Sequence, residues 1–579
     1  MSDLVIVSNR GPFNFSKEFL AETEKCLKSG VHPKPLEFGE GGLVQAMASL
    51  LKPGKWNPTW IGASMGDRDI DVARGHYSTL FKRMLKGGHA PDHFPRIVIE
   101  PDGRMRFHYK DYDFHLRFVY FDTKHMHSYY SQFANGFLWP LLHLTRPPLF
   151  YRNTREFPRP HFERNDFVQY MSSSVTFANT ISDEIKRSKE FGKTGGDIVV
   201  WNQDYHLMQI AEVFKAVLSE EDLPDEKLSR IRIGQFIHTP YFNIHEIQGL
   251  LREDKRFRVK AQLYEPFGET LESVLQKLTW GMLANDFIGF HTNEYCNNYL
   301  EALEEWFPVK IRVEGGCYEV THLDRITTIG AIPIGLDVDK ILSEVSRGKK
   351  LVYTLGQESL YKRVLREKMK GLKIFGGLER CDYTKGLIER LGIFYHAHRR
   401  LMDTGTEARL YQVTAPSRLD NPGYQDLGST LNQAVRKTNA MLPNDPIVHI
   451  DQGIPVPQNY RFMKEIDVML VTPLEDGMNL VAFEYILSQK FRKPSKRGFL
   501  VLSTSGASRV LKEKGFGEKD GIVYVNPMRE KEAGAKTVDA VMKQVRLSEK
   551  VINYVEQERR VDDWAGKNVD AILNCRKTL

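Results

Sequence analysis

Apolar runs closed by polar turns set the rhythm of this chain. Leu4 to Ser8, Asn57 to Ala63, Arg117 to Asp122, Ile198 to Trp201, Ile231 to Ile237, Asp286 to Phe290 and Ile326 to Gly335 each read as a strand. Such runs, short and apolar between turn residues, predict buried strands. Three of them end alike. Ile198 to Trp201 runs into Asn202-Gln203-Asp204-Tyr205-His206, Ile231 to Ile237 into His238-Thr239-Pro240, and Asp286 to Phe290 into His291-Thr292. Strands that alternate with helical segments and end in polar turns predict a parallel sheet whose carboxyl edge lines a site, although each His or Asp also suits a capping role. A polar segment from Asp337 to about Lys370 reads as a connection. A second series follows, with strands at Leu372 to Leu378, Ala408 to Thr414, Pro446 to Ile450, Ile466 to Thr472, Phe499 to Ser503 and Ile522 to Val525. The pattern therefore predicts an α/β chain of two βαβ halves, residues 1–336 and 337–547, with a cleft between them. A helical closing segment, 548–579, carries Trp564 and reaches back over the first half.

The second series is organised around Asp476 to Glu484, reading D-G-M-N-L-V-A-F-E after the strand Ile466 to Thr472. Helical spacing begins at Met478, so the N–H groups of Gly477, Met478, Asn479 and Leu480 are expected at a helix N-terminus, an end that attracts anions. Asp476 before the helix and Glu484 two turns into it suit hydroxyl groups on either side of a bound phosphate. An Asp N-cap and a solvated Glu are the alternative. In the same half the first strand ends in Glu379-Arg380-Cys381-Asp382-Tyr383-Thr384-Lys385-Gly386. Arg380 and Lys385 straddle a helix start capped by Asp382 and aim two cations at one anion.

The first half offers weaker signals. Arg10 follows the first strand at the turn Ser8-Asn9-Arg10-Gly11-Pro12, on the edge that faces ligands in open α/β sheets; a surface arginine is the alternative. Glu40-Gly41-Gly42-Leu43-Val44 opens a helix through Leu51, and glycines there let a phosphate approach the backbone, though this is neither a Walker nor a dinucleotide motif. Tyr130 to Pro140 is dense in aromatics; these suit a core, while Tyr130 and Trp139 also suit stacking on the C–H face of a sugar.

Composition narrows the class. At 579 residues, 41% hydrophobic and 27% charged, the chain is a multidomain globular protein. No run approaches a membrane span. The net charge of +7 is interleaved along the chain, which fits small anionic substrates and is too diffuse for nucleic acid. Five cysteines without a C-x-x-C pair give neither a disulfide framework nor a zinc pattern. The opening Met-Ser-Asp-Leu-Val-Ile-Val-Ser reads as a strand and not a leader, so a cytoplasmic protein is expected.

Taken together, R-x-D-x-x-K-G at Arg380 to Gly386, L-V-T-P-L-x-D-G-M-N-L-V-A-x-E at Leu470 to Glu484, S-N-R at Ser8 to Arg10, G-G-L at Gly41 to Leu43, Y-x-Q-F-x-N-x-x-L-W-P at Tyr130 to Pro140, D-Y-H-L at Asp204 to Leu207 and P-I-G at Pro333 to Gly335 resemble the trehalose-6-phosphate synthases in order and spacing. The resemblance implies the GT-B fold, two Rossmann-like domains facing across a cleft with a final helix crossing back. It also implies retaining transfer of glucose from a nucleotide sugar, UDP-glucose or similar, to a sugar phosphate, foremost glucose 6-phosphate. Arg380 and Lys385, with the N–H groups of Asn479, Leu480 and Val481, would then hold the donor diphosphate, and Glu484 the ribose. Asp476, Gly477 and Met478 would hold the donor glucose, with His238 on its 6-hydroxyl. Asp204 would lie at the reaction centre. Arg10, Tyr130, Trp139 and Arg418, the last in Ala415-Pro416-Ser417-Arg418, would hold the acceptor beside Gly42, itself counted with the donor site. No metal or other cofactor is implied, and the partners are small molecules, with a homo-oligomer open. Phe483 stands where the usual motif has Lys, and Leu250 to Glu272 and the stretch between Arg10 and Gly41 are longer than usual. Both insertions leave the acceptor open: glycerol 3-phosphate, a cyclitol phosphate, or a sugar-phosphate-sensing relative without catalysis are the alternatives.

Overall fold

In the computed structural model β1 (Ser2–Arg10) is the strand around which the first sheet grows in both directions. The structure describes residues 2–29, 36, 42–86, 96–101, 104–109, 111–143, 162–187, 196–221, 224–253, 271–346, 354–355, 358–418 and 422–575. Among these the chain forms two compact units: 2–139, 162–332 and 562–575 make unit 1, and 140–143 with 333–561 make unit 2. The closing segment is thus shared, its residues from Asp562 onward belonging to unit 1 and its earlier part to unit 2.

The strands of unit 1 are β1, β2 (Trp56–Ala63), β3 (Arg96–Ile99), β4 (Met105–Tyr109), β5 (Tyr112–Val119), β6 (Ile198–Gln203), β7 (Ile231–Phe236), β8 (Phe287–Phe290), β9 (Lys310–Glu314), β10 (Cys317–His322) and β11 (Arg325–Ala331). They form one 11-stranded sheet in the order β3-β4-β5-β2-β1-β6-β7-β8-β11-β10-β9. The run from β5 to β11 is parallel. Antiparallel strands extend both edges. The sequence reading passed over these edges. β4 does alternate, with Met105, Phe107 and Tyr109 inward, but β9 is almost wholly exposed and carries no apolar signal. Arg117 to Asp122 ends earlier than expected, at Val119, because Asp122 caps the next helix through His125 N–H at 2.8 Å. β11 likewise stops at Ala331, short of Gly335.

Helices cover both faces of this sheet. On one, Phe177, Ile181 and Ile185 of Arg164–Arg187 and Ile210, Ala211 and Phe214 of Ile210–Ser219 pack on Val5, Val7, Ile61, Val200 and Ile233. On the other lies the last helix, Val561–Asn574, with Trp564 against Trp201 and Phe236 at ring distances of 5.5 and 5.0 Å. Its close seating depends on Gly234, where a Cβ would stand 2.3 Å from Ile572 Cδ1.

In unit 2 the connection is more structured than expected. It contains the helices Val338–Ser346 and Leu360–Met369 and a small antiparallel pair, β12 (Thr354–Leu355) and β13 (Glu358–Ser359). Each predicted strand of the second series is present: β14 (Lys373–Arg380), β15 (Ala408–Ala415), β16 (Ile447–Ile450), β17 (Val468–Val471), β18 (Phe499–Leu502) and β19 (Ile522–Tyr524). They form a 6-stranded parallel sheet, β16-β15-β14-β17-β18-β19. In both sheets the order reverses beside one strand, β1 in unit 1 and β14 in unit 2. Ligands of open α/β sheets bind beyond the carboxyl ends at such a reversal, which singles out the ends of β1 and β6 in one unit and of β14 and β17 in the other.

The seating of the last helix gives a direct expectation. Gly234→Val places a branched side chain where Ile572 already stands and lowers stability by about 1–3 kcal/mol. Ile572→Ala in the same chain recovers most of the lost melting temperature. A melting temperature unchanged by Gly234→Val would mean that the helix is not held on β7.

Candidate active site

The two reversals carry the residues that the sequence singled out. In unit 2, β14 ends in Arg380, which is exposed. Asp382 then caps a short 3-10 turn, Tyr383–Lys385, through Thr384 N–H at 3.0 Å. Gly386 follows at φ +58 and starts the helix Leu387–Asp403; a Cβ there would meet the Thr472 carbonyl, so only glycine fits. The β17 loop is stitched to this turn by Leu474 N–H to the Thr384 carbonyl at 2.7 Å and by an ion pair between Lys385 Nζ and Asp476 Oδ2. Both partners are buried, at 8% and 7% exposure. Burial works against the Lys385 charge, but Asp476 and Glu379 outweigh it and hold its pKa above the ordinary lysine value.

Asp476 therefore does not cap the following helix. That helix is Leu480–Ser488, beginning two residues later than the spacing predicts, with Asn479 at the N-cap. The Asn479 side chain makes no cap bond; its amide donates instead to Glu379 at 2.9 Å and to Asp476 at 3.2 Å. Gly477 and Met478 lie before the helix, and Leu480 and Val481 present its free N–H groups. Glu484 is half-buried, and no hydrogen bond reaches its carboxylate among the described residues. Burial, with the Glu379 charge adding to it against Lys340, raises its pKa to about 7. Phe483 is buried beneath the Arg559 guanidinium, 5.1 Å from the ring centre. Below the site, Arg390 is completely buried and pairs with Glu379 at 3.6 Å, with Gly377 leaving it room.

Arg418 also belongs to this unit. It pairs with Asp382 at 3.2 Å and donates to the Tyr424 hydroxyl, at φ +50. Burial opposes the Asp382 charge, yet Arg418, Arg380 and Lys385 hold it below the usual carboxylate range. The structure thus joins Arg418 to the Arg380 to Gly386 turn, and it lies on a different unit from Arg10, Tyr130 and Trp139.

In unit 1, β1 departs from regular register between Ser8 and Arg10, and Arg10 Nη2 donates to the Tyr130 hydroxyl at 2.7 Å. Tyr130 sits in a π-helix, His127–Leu138, a rare form that is frequent at functional sites. Sequence periodicity did not reveal it, because the aromatics read as core. The element faces the β6 turn: Tyr130 stacks on His206 at 5.6 Å, Trp139 lies 5.8 Å from Tyr205, and the Tyr205 hydroxyl donates to Asn135 at 2.9 Å. Asp204 follows β6 at φ 74 and ψ 174, a conformation otherwise confined to glycine and costing about 1–3 kcal/mol. Its carboxylate accepts from His238 N–H at 3.1 Å. The His238 ring lies 3.0 Å from Gln203 Oε1, and burial lowers its pKa to about 3, so it is neutral. Gly42 opens the short helix Gly42–Met47. Glu40 and Gly41 lie outside the described residues, as does most of the Leu250 to Glu272 insertion.

With this arrangement in view, the sequence profile described as Glycosyltransferase family 20 matches residues 2–252 and 270–574. The chain belongs to that family. Glycosyltransferase is therefore its enzyme class. The alpha,alpha-trehalose-phosphate synthase (UDP-forming) 56 kDa subunit of Saccharomyces cerevisiae is 29% identical over 572 residues, 96% of this chain and 91% of that one. The corresponding 56 kDa subunit of Kluyveromyces lactis is 30% identical over 445 residues, 75% and 73% of the two chains. Among solved structures, trehalose-6-phosphate synthase from E. coli bound with UDP-2-fluoro glucose matches at a TM-score of 0.68 and 19% identity, covering 100% of both chains. The Burkholderia xenovorans alpha,alpha-trehalose-phosphate synthase in complex with glucose-6-phosphate matches at 0.66 and 22%, covering 99% of this chain and 100% of that one. The glycosyltransferase thus has the GT-B fold, with two sheets whose central strands are parallel.

Among the described residues of this glycosyltransferase no group of His, Cys, Asp and Glu is arranged to hold a metal ion, and no helix is long and apolar enough to cross a membrane. The Lys385–Asp476 pair is the site's own structural keystone. Lys385→Met leaves Asp476 buried without its ammonium and lowers the stability of the chain by about 3–5 kcal/mol, read by urea unfolding. A loss below about 1 kcal/mol, the range of exposed pairs, would show that the two groups do not support each other.

Proposed function

We propose that this glycosyltransferase moves glucose from UDP-glucose to glucose 6-phosphate, giving trehalose 6-phosphate and UDP, with retention at the transferred carbon. One observation carries the reading: Arg380, the Lys385–Asp476 pair and the N-terminus of Leu480–Ser488 all end on the carboxyl edge of one sheet, where its order reverses. Cations and helix N–H groups so gathered suit a diphosphate. The names of the yeast relatives and the ligands bound in the solved relatives support the choice of UDP-glucose and glucose 6-phosphate.

On this reading Arg380 and Lys385 meet the diphosphate with the N–H groups of Asn479, Leu480 and Val481. Asp476, released in part from Lys385 by the anion, turns with Gly477 and Met478 to the hydroxyls of the donor glucose. Glu484, whose carboxylate no hydrogen bond reaches among the described residues, takes the ribose hydroxyls. His238, neutral, bonds the glucose 6-hydroxyl, and Gly42 lies against the donor. Arg10, Tyr130, Trp139 and Arg418 hold the phosphate and ring of the acceptor, and Asp204 stands at the reaction centre. As the C1–O bond to the diphosphate breaks, negative charge grows on the leaving oxygen, where preorganised cations and N–H donors stabilise it most. The acceptor hydroxyl attacks from the face that the diphosphate leaves, and its proton passes to the departing oxygen. The diphosphate charge is met by protein groups, so no metal enters the proposal. Five free thiols suit a reducing compartment, and we place the enzyme in the cytoplasm.

The test is to incubate the full chain, in EDTA, with UDP-, ADP- and GDP-glucose against glucose 6-phosphate, glucose and glycerol 3-phosphate, and to weigh the products. A phosphorylated disaccharide formed from UDP-glucose and glucose 6-phosphate is expected. Efficient use of free glucose, or donor hydrolysis without transfer, overturns the reading. The raised Glu484 pKa adds a pH dependence. Above about 7 the carboxylate is charged and accepts both ribose hydroxyls; below it the group is protonated and loses an acceptor. UDP-glucose, which has no titrating group of its own in this range, should bind about tenfold more weakly near pH 6 than near pH 8 by titration calorimetry. Glu484→Gln should flatten that dependence. A flat profile in the wild type would remove Glu484 from the ribose.

A further inference from the structure

Asp204 is held in its strained conformation by β7, by the turn after β7 and by its own turn. Its N–H donates to the Phe236 carbonyl at 2.7 Å, its carboxylate accepts from His238 N–H at 3.1 Å, and its own carbonyl accepts from Leu207 N–H at 3.1 Å and from Gln235 Nε2 at 3.3 Å. The bonds from Phe236, His238 and Leu207 are made by main-chain groups, which almost any residue supplies. Gln235 contributes a side chain.

Gln235 is completely buried, and β7 sets it beside Asn202 of β6, two residues before Asp204. Its amide is used at both ends. Nε2 reaches Asp204, and Oε1 accepts from Asn285 Nδ2 at 3.1 Å. Asn285, 1% exposed, is itself fixed by a second bond from Nδ2 to the Met282 carbonyl at 2.8 Å, at the end of the helix Leu271–Met282. A line of hydrogen bonds therefore runs from that helix through two buried amides to the main chain of Asp204. Burying an amide in a sheet interior is costly unless both of its ends are bonded, and an aliphatic side chain would fill the same space without that demand. The line ends at the carbonyl of a residue whose φ of 74 brings its carboxylate to His238.

We propose that Gln235 is a positioning residue for the transfer: with Asn285 behind it, it holds the Asp204 main chain in the left-handed region and so aims the Asp204 carboxylate. The proposal rests on the placement of Asp204 at the reaction centre given above, and it goes further in assigning the aim of that carboxylate to a buried glutamine away from the substrates.

Two variants and two readouts test it. Gln235→Met keeps the volume and removes the amide; Gln235→Met with Asn285→Ala removes both partners, which restores much of the stability lost when only one is removed. Gln235→Met should melt lower than the wild type and turn over about tenfold more slowly, with the donor KM unchanged. In the double variant the melting temperature should recover while kcat stays low. Recovery of kcat together with the melting temperature would mean a structural role only and overturns the proposal. A crystal structure of Gln235→Met supplies the second readout, independent of substrate: Asp204 should leave positive φ, and an Asp204 still near φ +74 overturns the proposal whatever the activity. A wild type that transfers to none of the acceptors overturns the functional reading instead, and leaves the Asp204 conformation to decide the role of Gln235.

Discussion

An ammonium and a carboxylate buried against each other are the constraint on which unit 2 depends. Lys385 ends the turn after β14, and Asp476 lies in the loop after β17, neighbouring strands on either side of the sheet reversal. Neither charge tolerates this burial alone. Paired, they fix two loops of unrelated sequence to one another, with the Leu474 to Thr384 main-chain bond beside them. The surrounding groups fall into place from that pair: Asn479 is drawn from capping its helix to bridging Glu379 and Asp476, and Asp382 is shared among three cations. Each cation of this cluster is met by a carboxylate, and on the proposed reading an arriving diphosphate takes the place of some of those carboxylates.

Unit 1 uses a different device at the corresponding reversal. It spends backbone strain where unit 2 spends buried charge. Asp204 sits in a region that L-residues avoid, and bonds from β7 and the turn after it hold it there. The π-helix adds a second irregularity: its widened turns set Tyr130 against Arg10 and His206. Both features belong to local backbone geometry and neither is required by the packing of the sheet, as expected of a site whose shape serves binding.

The sequence made the strands of both sheets legible wherever apolar runs were buried on both faces, and it pointed to the junctions at Arg380 to Gly386 and Asp476 to Glu484 before any coordinates. It was less informative where a local rule was overridden by a tertiary partner. Asp476 has the character of an N-cap, but Lys385 claims it, and the helix starts at Leu480. The motif around Arg418 gives no sign of its partners, Asp382 and the Tyr424 hydroxyl. The edge strand β9 carries no burial pattern to read. Gln235 looks like an ordinary interruption of an apolar strand and Asn285 like a turn residue before another, and only the coordinates show that Asn285 bonds to Gln235 and Gln235 to Asp204.

The central claim is that the carboxyl edge of unit 2 is a diphosphate site whose accessible cation is Arg380. Titration calorimetry of UDP into the wild type and into Arg380→Ala tests it most directly, because Arg380 is exposed and its removal leaves the Lys385–Asp476 pair and the fold in place. The account predicts binding by the wild type that weakens with added salt, and a loss of at least tenfold in affinity in the variant at an unchanged melting temperature. Equal affinity for UDP in the two proteins would contradict it.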